Sequence, residues 1–317
     1  MPILFGTATG LSGIMEMNVQ QNHGAATAMA TVSCHDIGVV DIGDSLTIDL
    51  GYTTDHGDVF TGYVKEIIQD VPGNTYTVMC QDEMIRAVDY FVAPSDPDHP
   101  PTWNDIQAED LVENVLALAG LTTYSHDVTS FILAINGTKA EVKLVTVYDY
   151  CKSIAELLAY SLWYEAGTVY FKDRRPYYTA GAILATIDDT DIISCTYRKN
   201  EKDLRNRVVV YGAGDVKYTA SDPTCPWLPA GFFKSVVYSH PLIGSNSVAH
   251  MTADYNLDKL NRLTYSANVN VLGSHIYMAR KNLHIDSSYL PHDNYYIYGC
   301  THTWSQSGYT CNMDLRK

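Results

Sequence analysis

Two stretches of the chain, 237 positions apart, echo one another. LTIDLGYTTDHGDVFTGYV (46–64) and LHIDSSYLPHDNYYIYGCT (283–301) match at Leu46, Ile48, Asp49, Tyr52 and Gly62 against Leu283, Ile285, Asp286, Tyr289 and Gly299. Five identities in nineteen positions exceed the roughly one that ordinary residue frequencies give. Downstream, Tyr76-Thr77 and Tyr309-Thr310 continue the order, with a turn four residues shorter in the later copy, and turns tolerate such length changes. Each copy reads as a strand, a loop and a hairpin with a glycine at its centre. Glycine inside a strand marks a bulge or a close backbone approach and helps a small sheet curl. Duplication confines the chain to two related β units near its ends; convergence of two ordinary hairpins is the alternative. The expected fold is mainly β with an α+β insert: two similar β-barrel domains flanking a small α+β module.

The three zones follow from local signals. Residues 1–93, the first β-barrel domain, carry short β-favouring runs (ATAMATVSC, DSLTIDLGY, DVFTGYVKEI, NTYTVMCQD) broken by Gly, Asp and Asn. PSDPDHPPT at 94–102 holds four prolines and marks a boundary. Residues 94–190 form the α+β middle module. Asn104 with Gln107 reads as a capping box for a helix whose stripe is Ile106, Leu111, Val115 and Leu118, ended by Gly120. A second helix is expected from about Thr146 to Tyr160, flagged by Thr146 and Asp149, with Tyr150, Ile154, Leu157 and Leu158 inward. Ala166-Gly167 then turns a hairpin. Residues 191–317, the second β-barrel domain, return to strands, with one helix near 252–263 and a long irregular loop at 215–249.

Composition narrows the class. At 46% hydrophobic and 18% charged residues the chain suits a folded globular protein. The first basic residue is Lys65, so the start does not read as a secretory signal. No apolar run reaches the 18 residues of a membrane span. Seven cysteines (34, 80, 151, 195, 225, 300, 311) without a C-x-x-C pair argue for reduced thiols and cytosolic assembly. Tyrosine, at 24 residues against 7 phenylalanines, suits half-buried sheet faces and contact surfaces. The net charge of −15 is uneven: residues 1–93 hold twelve acids against Lys65 and Arg86, whereas residues 191–317 hold ten acids against thirteen bases. A nucleic-acid binder concentrates basic charge on one face; the first zone does the opposite.

Chemical motifs add little. NRVVVYGAGDVK (206–217) places Gly212 and Gly214 in a Gly-x-Gly, but Lys217 fills the third glycine slot and three prolines follow, so no helix opens to face a pyrophosphate. A strand ending in a glycine turn is the better reading. His292, Cys300 and His302 lack the paired spacing of a closed zinc site. Asp55, His56 and Asp58 read as a solvated loop, and Asp188, Asp189 and Asp191 as a polar turn rather than a cation site. G-x-S-x-G is absent. No catalytic residue, cofactor-binding residue or metal ligand is nominated, and no cofactor is expected.

GDSLTIDLGY…VFTGYVKEI…YTVMCQD, IQAEDLVENVLALAGL, TVYDYCKSIAELLAYSLWYEAGTVYFKDRR, DIISCTYRKNEKDLRNRVVVYGAG and NYYIYGCTHTWSQSGYTCNMDL together resemble, over nearly the whole chain, the late-control protein D-like group of phage baseplate and tail-tip hub proteins. In that resemblance Asn206, Val208, Val210 and Gly212 fall on a barrel strand and turn. It implies a non-enzymatic homotrimer with two barrels per subunit. Such a trimer adapts the six-fold tail tube to a three-fold tip or spike and passes genome or cargo through its channel. The implied partners are the tail tube protein, distal tail or other baseplate proteins, a spike or fibre protein, and the tape-measure protein; DNA passes without specific binding. The implied location is the virion, at the tail tip or baseplate, after assembly in the host cytoplasm. The rival readings are the hub of a contractile injection machine, a carbohydrate- or receptor-binding tail-tip module prompted by Tyr and Trp content, and a cell-wall hydrolase.

Overall fold

A computed structural model describes residues 3–93, 101–173, 182–261 and 264–317. Residues 94–100 of the Pro-rich boundary, and Arg174 and Arg175 of the helix-plus-hairpin stretch, lie outside the described residues. Strands β1 (Leu4–Ala8), β2 (Ser12–Asn22), β3 (Met29–Asp36), β4 (Ser45–Tyr52), β5 (Asp55–Asp70) and β6 (Thr75–Gln81) come first, then helix α1 (Ile85–Asp89). Next are β7 (Phe91–Val92), β8 (Thr102–Trp103), β9 (Ile106–Gln107), α2 (Ala108–Leu118), β10 (Tyr124–His126), β11 (Ile132–Leu133), β12 (Ala140–Glu141) and β13 (Val145–Thr146). They are followed by α3 (Val147–Leu157), β14 (Tyr160–Glu165) and β15 (Thr168–Asp173). The chain continues through β16 (Ile183–Asp188), β17 (Ile192–Asn200), β18 (Arg207–Tyr211), β19 (Lys217–Ser221), β20 (Ser235–Ser239) and α4 (Asn246–Leu260). It finishes with β21 (Thr264–Leu272), β22 (Asn282–Asp286), β23 (Asp293–Ser305) and β24 (Gly308–Arg316).

Two compact units result: Met1–Ile85 with Tyr177–Arg198 and Tyr265–Lys317, and Arg86–Pro176 with Lys199–Thr264. They cut across the consecutive zones 1–93, 94–190 and 191–317. The first unit holds one 12-stranded sheet whose main path is β1-β4-β5-β6-β3-β2-β23-β24-β21-β17, with β16 on β22 and β22 on β23. The expectation of two β-barrel domains is therefore corrected. Among the described residues the path ends at β1 and β17, which do not pair, and no sheet closes into a barrel. The physical reason is the β2–β23 ladder, seven antiparallel pairs from Glu16↔Ser305 to Asn22↔Gly299, which welds the early strands to the late ones. Their inward faces share one core: Val32, Ile48 and Val78 belong to the same cluster as Val269, Ile285 and Met313. Strict alternation selects those faces, as in β24, where Tyr309, Cys311, Met313 and Leu315 are buried in turn.

The duplication survives within that single sheet. The order β4-β5-β6-β3-β2 recurs as β22-β23-β24-β21-β17. Gly43 N–H donates to Val64 O at 2.8 Å and Val64 N–H to Asp44 O at 2.9 Å; Arg280 N–H donates to Ile297 O at 2.7 Å and Ile297 N–H to Lys281 O at 2.8 Å. The register then slips at the same place, between Val64 and Glu66 against β6 and between Ile297 and Gly299 against β24. Leu46 thus corresponds to Leu283, 237 positions on, but Val64 corresponds to Ile297, 233 on. Gly62 sits opposite Leu46 whereas Gly299 lies beyond the bulge, so that identity of the sequence echo joins two inequivalent positions. The outermost strands differ as well: β1 runs antiparallel to β4, while β16 runs parallel to β22.

In the second unit α2 starts at Ala108, with Gln107 as an N-cap that makes no side-chain capping bond. The expected Asn104–Gln107 box gives way to β9, which pairs with β11. Thr146 does cap α3, accepting from Asp149 N–H at 3.0 Å. Ala166 (φ 47°) and Gly167 (φ 85°) turn the β14–β15 hairpin in the left-handed conformations that a tight hairpin favours. The segment 215–249, expected to be irregular, contains β19, β20 and the start of α4. β18 does not join the large sheet; it is the centre of a three-stranded sheet, β19-β18-β20. Buried Asn206 holds this region in place. Its Nδ2 donates to Asp222 O (3.1 Å) and Phe232 O (2.9 Å), and its Oδ1 accepts from Lys234 N–H at 2.8 Å.

Two outcomes follow. Asn206→Leu removes the partner of three half-buried backbone groups and is expected to cost on the order of 1–3 kcal/mol in urea unfolding, with faster proteolysis between 222 and 234. Asp82 is buried between Ala28 N–H (2.6 Å) and Met84 N–H (3.0 Å), and burial lifts its carboxyl from 3.8 to about 7. The folded chain therefore holds a proton that the unfolded chain releases. This contribution to stability is full below the unfolded pKa and declines as pH rises from about 4 through about 7. Unfolding midpoints at pH 5 and pH 8 should show this slope, and Asp82→Asn should flatten it.

Candidate functional site

The Gly-x-Gly run makes no phosphate loop. From β18 the chain turns through Gly214 (φ +61°) and returns antiparallel, with Lys217 opposite Tyr211. A Cβ on Gly212 would stand 2.2 Å from Ile243 O, so glycine is required there by close backbone packing.

The polar groups weighed and set aside in the sequence serve separate local contacts. His292 is exposed and pairs with Asp286 at 2.7 Å. His302 is fully buried. His56 Nδ1 lies 2.8 Å from Asp49 Oδ2, and His275 Nδ1 lies 3.7 Å from Asp55. Asp58 is exposed opposite Asp49. The acids at 188–191 serve a turn: Asp188 accepts from Thr190 N–H (2.7 Å), Asp191 from Asp188 N–H (3.2 Å), and Asp189 from Ser288 N–H (2.9 Å). Hydrogen bonds from Thr190, and from Ser287 and Ser288, hold Asp188 and Asp189 below the usual carboxylate range. Nine of the twelve acids in 1–93 are exposed, as are Lys65 and Arg86, so the charge excess of that zone is a surface property.

One cluster escapes a reading of the sequence alone. Cys300, His302 and Cys311 come together in the core, with ligand atoms within 4.8 Å of one another. Cys300 and His302 were weighed in the sequence without Cys311, which the strand pairing places at an inward position of β24 directly opposite His302. The chemistry is that of a satisfied buried imidazole. Tyr309 OH lies 2.7 Å from His302 Nδ1, Cys311 Sγ lies 3.3 Å from the same nitrogen, and Cys300 Sγ lies 3.5 Å from Nε2. The thiols address opposite edges of the ring, and three ligands fall short of a closed tetrahedral set. Burial pushes the Cys300 thiol and the Tyr309 hydroxyl well above their ordinary values, so both stay protonated.

What the first unit offers at its surface is strand edge and apolar side chain. β17 ends the sheet path and, among the described residues, pairs with β21 alone. An open groove of about 430 Å³ runs beside it, lined by Ile192, Ile193, Ser194, Cys195, Tyr197 and Tyr289. β5 is longer than its partner: β4 and its lead-in cover residues 55–64, and beyond Val64, among the described residues, only β6 pairs with it. Unpaired strand edges are templates for pairing with another chain. No helix among the described residues is long and apolar enough to cross a membrane.

No protein-family model and no curated protein matches the chain. Solved structures do. A tail protein from Neisseria meningitidis MC58 aligns with a TM-score of 0.70 at 13% identity, covering 99% of this chain and 97% of that one. A 43 kDa tail protein of prophage MuSo2 from Shewanella oneidensis gives 0.67 at 12% identity, covering 99% and 97%. An Escherichia coli component of the type VI secretion system gives 0.62 at 9% identity, covering 98% and 76%. At these identities the likeness is one of fold: this chain has the architecture of those tail and secretion-system proteins over essentially its whole length.

Tyr309→Phe removes the hydroxyl that satisfies His302 Nδ1. It should lower unfolding stability by roughly 1–3 kcal/mol while leaving the far-ultraviolet circular dichroism spectrum unchanged.

Proposed function

We propose that the chain is a non-enzymatic structural hub at the distal end of a phage tail or tail-like particle. It acts there as a homotrimer that adapts the six-fold tail tube to a three-fold tip or spike. The observation that carries this reading is the strand order repeated within one sheet, β4-β5-β6-β3-β2 and β22-β23-β24-β21-β17. Two related strand sets per chain make six per trimer, which is what a six-fold ring can meet. The likeness in fold to the Neisseria and Shewanella tail proteins supports the setting. Binding energy comes from edge pairing and buried sheet surface. The partners in this reading are the tube protein, distal tail or baseplate proteins, a spike or fibre protein and the tape-measure protein. The location is the tail tip, reached after assembly in the host cytoplasm. The exposed acids of residues 1–93 repel phosphate, so DNA passes a lined channel without sticking. The fold likeness to the type VI secretion component favours one second reading, the hub of a contractile injection machine.

Native mass measurement of the chain, alone and with a tube protein, tests the proposal. A three-copy species that caps tube rings is expected, and labelled antibody should decorate one end of the particle. A chain that remains single beside assembled tube rings, or label spread along the tube, would overturn it.

A further inference from the structure

The small sheet β19-β18-β20 of the second unit is covered on one face only. Val208, Val210 and Ala220 are buried on the side where α4 packs, and the Tyr218 ring lies against His250 of that helix with centroids 4.3 Å apart. The other face runs Arg207, Val209 and Tyr211 down β18, with Lys217 and Val237 on the flanking strands and Ser or Thr at the remaining positions. It holds two cations and no carboxylate, in a chain of net charge −15. Aromatic rings fix both cations there: the Arg207 guanidinium lies 3.5 Å from the centre of Phe233, and Lys217 Nζ 5.0 Å from that of Tyr211.

β20 pairs with β18 and, among the described residues, with no other strand. Its bonding parity is set at both ends: Lys234 O accepts from Arg207 N–H at 3.3 Å, and His240 N–H donates to Tyr211 O at 3.0 Å. The side on which a strand bonds alternates along it. Even-numbered residues therefore serve β18, and Ser235, Val237 and Ser239 turn their N–H and C=O groups outward. Their side chains are exposed as well, Val237 at 60%. Sheets guard such an edge with charged residues or proline. The strand, SVVYS, has neither, and Lys234 just before it is turned to Glu201 at 3.5 Å. We propose that the outer edge of β20 takes an extended acidic segment of a partner protein as a fourth strand. Main-chain bonds at Ser235, Val237 and Ser239 supply the adhesion, and alternate side chains give the selectivity. The central side chain of the incoming strand meets Val237. One opposite Ser235 lies two strand spacings from Arg207, about 10 Å, a gap that a glutamate and an arginine side chain span together. The sign of the partner's charge follows from a face with cations and no acid. The site stands apart from the hub reading, since it needs only the free edge in the second unit.

A displayed library of random nine-residue peptides, panned on the whole chain, tests this. Enriched sequences should alternate β-favouring residues with Asp or Glu and lack proline. One of them, made synthetically, should lose about tenfold or more in affinity, a loss of about 1.4 kcal/mol or greater, when the main-chain nitrogens on its bonding side are methylated. Methylation removes donors and spares side chains. Val237→Pro should cost as much, because the N–H it removes faces away from β18 and proline is tolerated at such an edge position. Arg207→Gln should weaken the peptide severalfold and flatten its salt dependence. The methylated peptide is measured on the unaltered chain, so that comparison decides the matter even where the proline variant does not fold. Four results would overturn the proposal: no enrichment, enrichment of basic or proline-rich sequences, indifference to methylation, or a DNA duplex or sulfated polysaccharide that binds with the same dependence on Arg207. A self-association that Val237→Pro abolishes would overturn it too, by making a second copy the occupant of the edge.

Discussion

The β2–β23 ladder is the joint on which the rest of the first unit depends. Seven residue pairs tie Glu16–Asn22 to Gly299–Ser305, and side chains reinforce them. Asn18 Nδ2 donates to Thr303 Oγ1 at 3.2 Å, Arg280 donates to Asn22 O at 2.8 Å, and Gln21 both donates to Val59 O and accepts from Ala279 N–H. Trp304, at the end of the ladder, packs so closely on Gly6 that a Cβ there would lie 2.5 Å from the indole. Without this joint each strand set would present its inward face to water; with it, both faces drain into one core.

The same joint explains what was legible in the sequence and what was not. Alternation of apolar and polar residues is a property of single strands, so DSLTIDLGY and GYTCNMDL were readable as β4 and β24. The Thr146 cap and the Ala166-Gly167 turn are likewise local. Which edge meets which is decided by contacts nearly 300 positions apart, and no local pattern records that a long β23 will be shared by β22 on one stretch and β2 on the next. The echo of 46–64 in 283–301 was real at Leu46 and Ile48, whose equivalents are Leu283 and Ile285. It failed at Gly62 because the path from Leu283 to Ile297 is four residues shorter than the path from Leu46 to Val64, so a constant offset loses register across the hairpin. A duplicated architecture can keep its hydrogen-bond geometry, as at Val64 and Ile297, after the identities have moved.

In the second unit the missed structure depends on single polar residues. The stretch 215–249 has little periodicity, and its order comes from Asn206 gathering three backbone groups rather than from an apolar stripe. Asn256 does similar service, donating to Leu157 O at 2.9 Å from the buried side of α4. A buried amide with several partners is worth more than its share of surface area, and a sequence shows only that an Asn is present. The core cluster of Cys300, His302 and Cys311 has the same lesson in reverse. Residue types that suggest chemistry are used here as packing, with the Tyr309 hydroxyl hydrogen-bonded to the imidazole.

The long reach of the joint also sets a schedule. As the ribosome extends the chain, β2 emerges early but its partner on β23 does not exist until residues 299–305 have been made. Until then the early strands carry an open edge and an uncovered apolar face, the condition in which nascent β proteins stick to one another. The first unit cannot be completed piecemeal: its one sheet and its shared core join the earliest strands to the last.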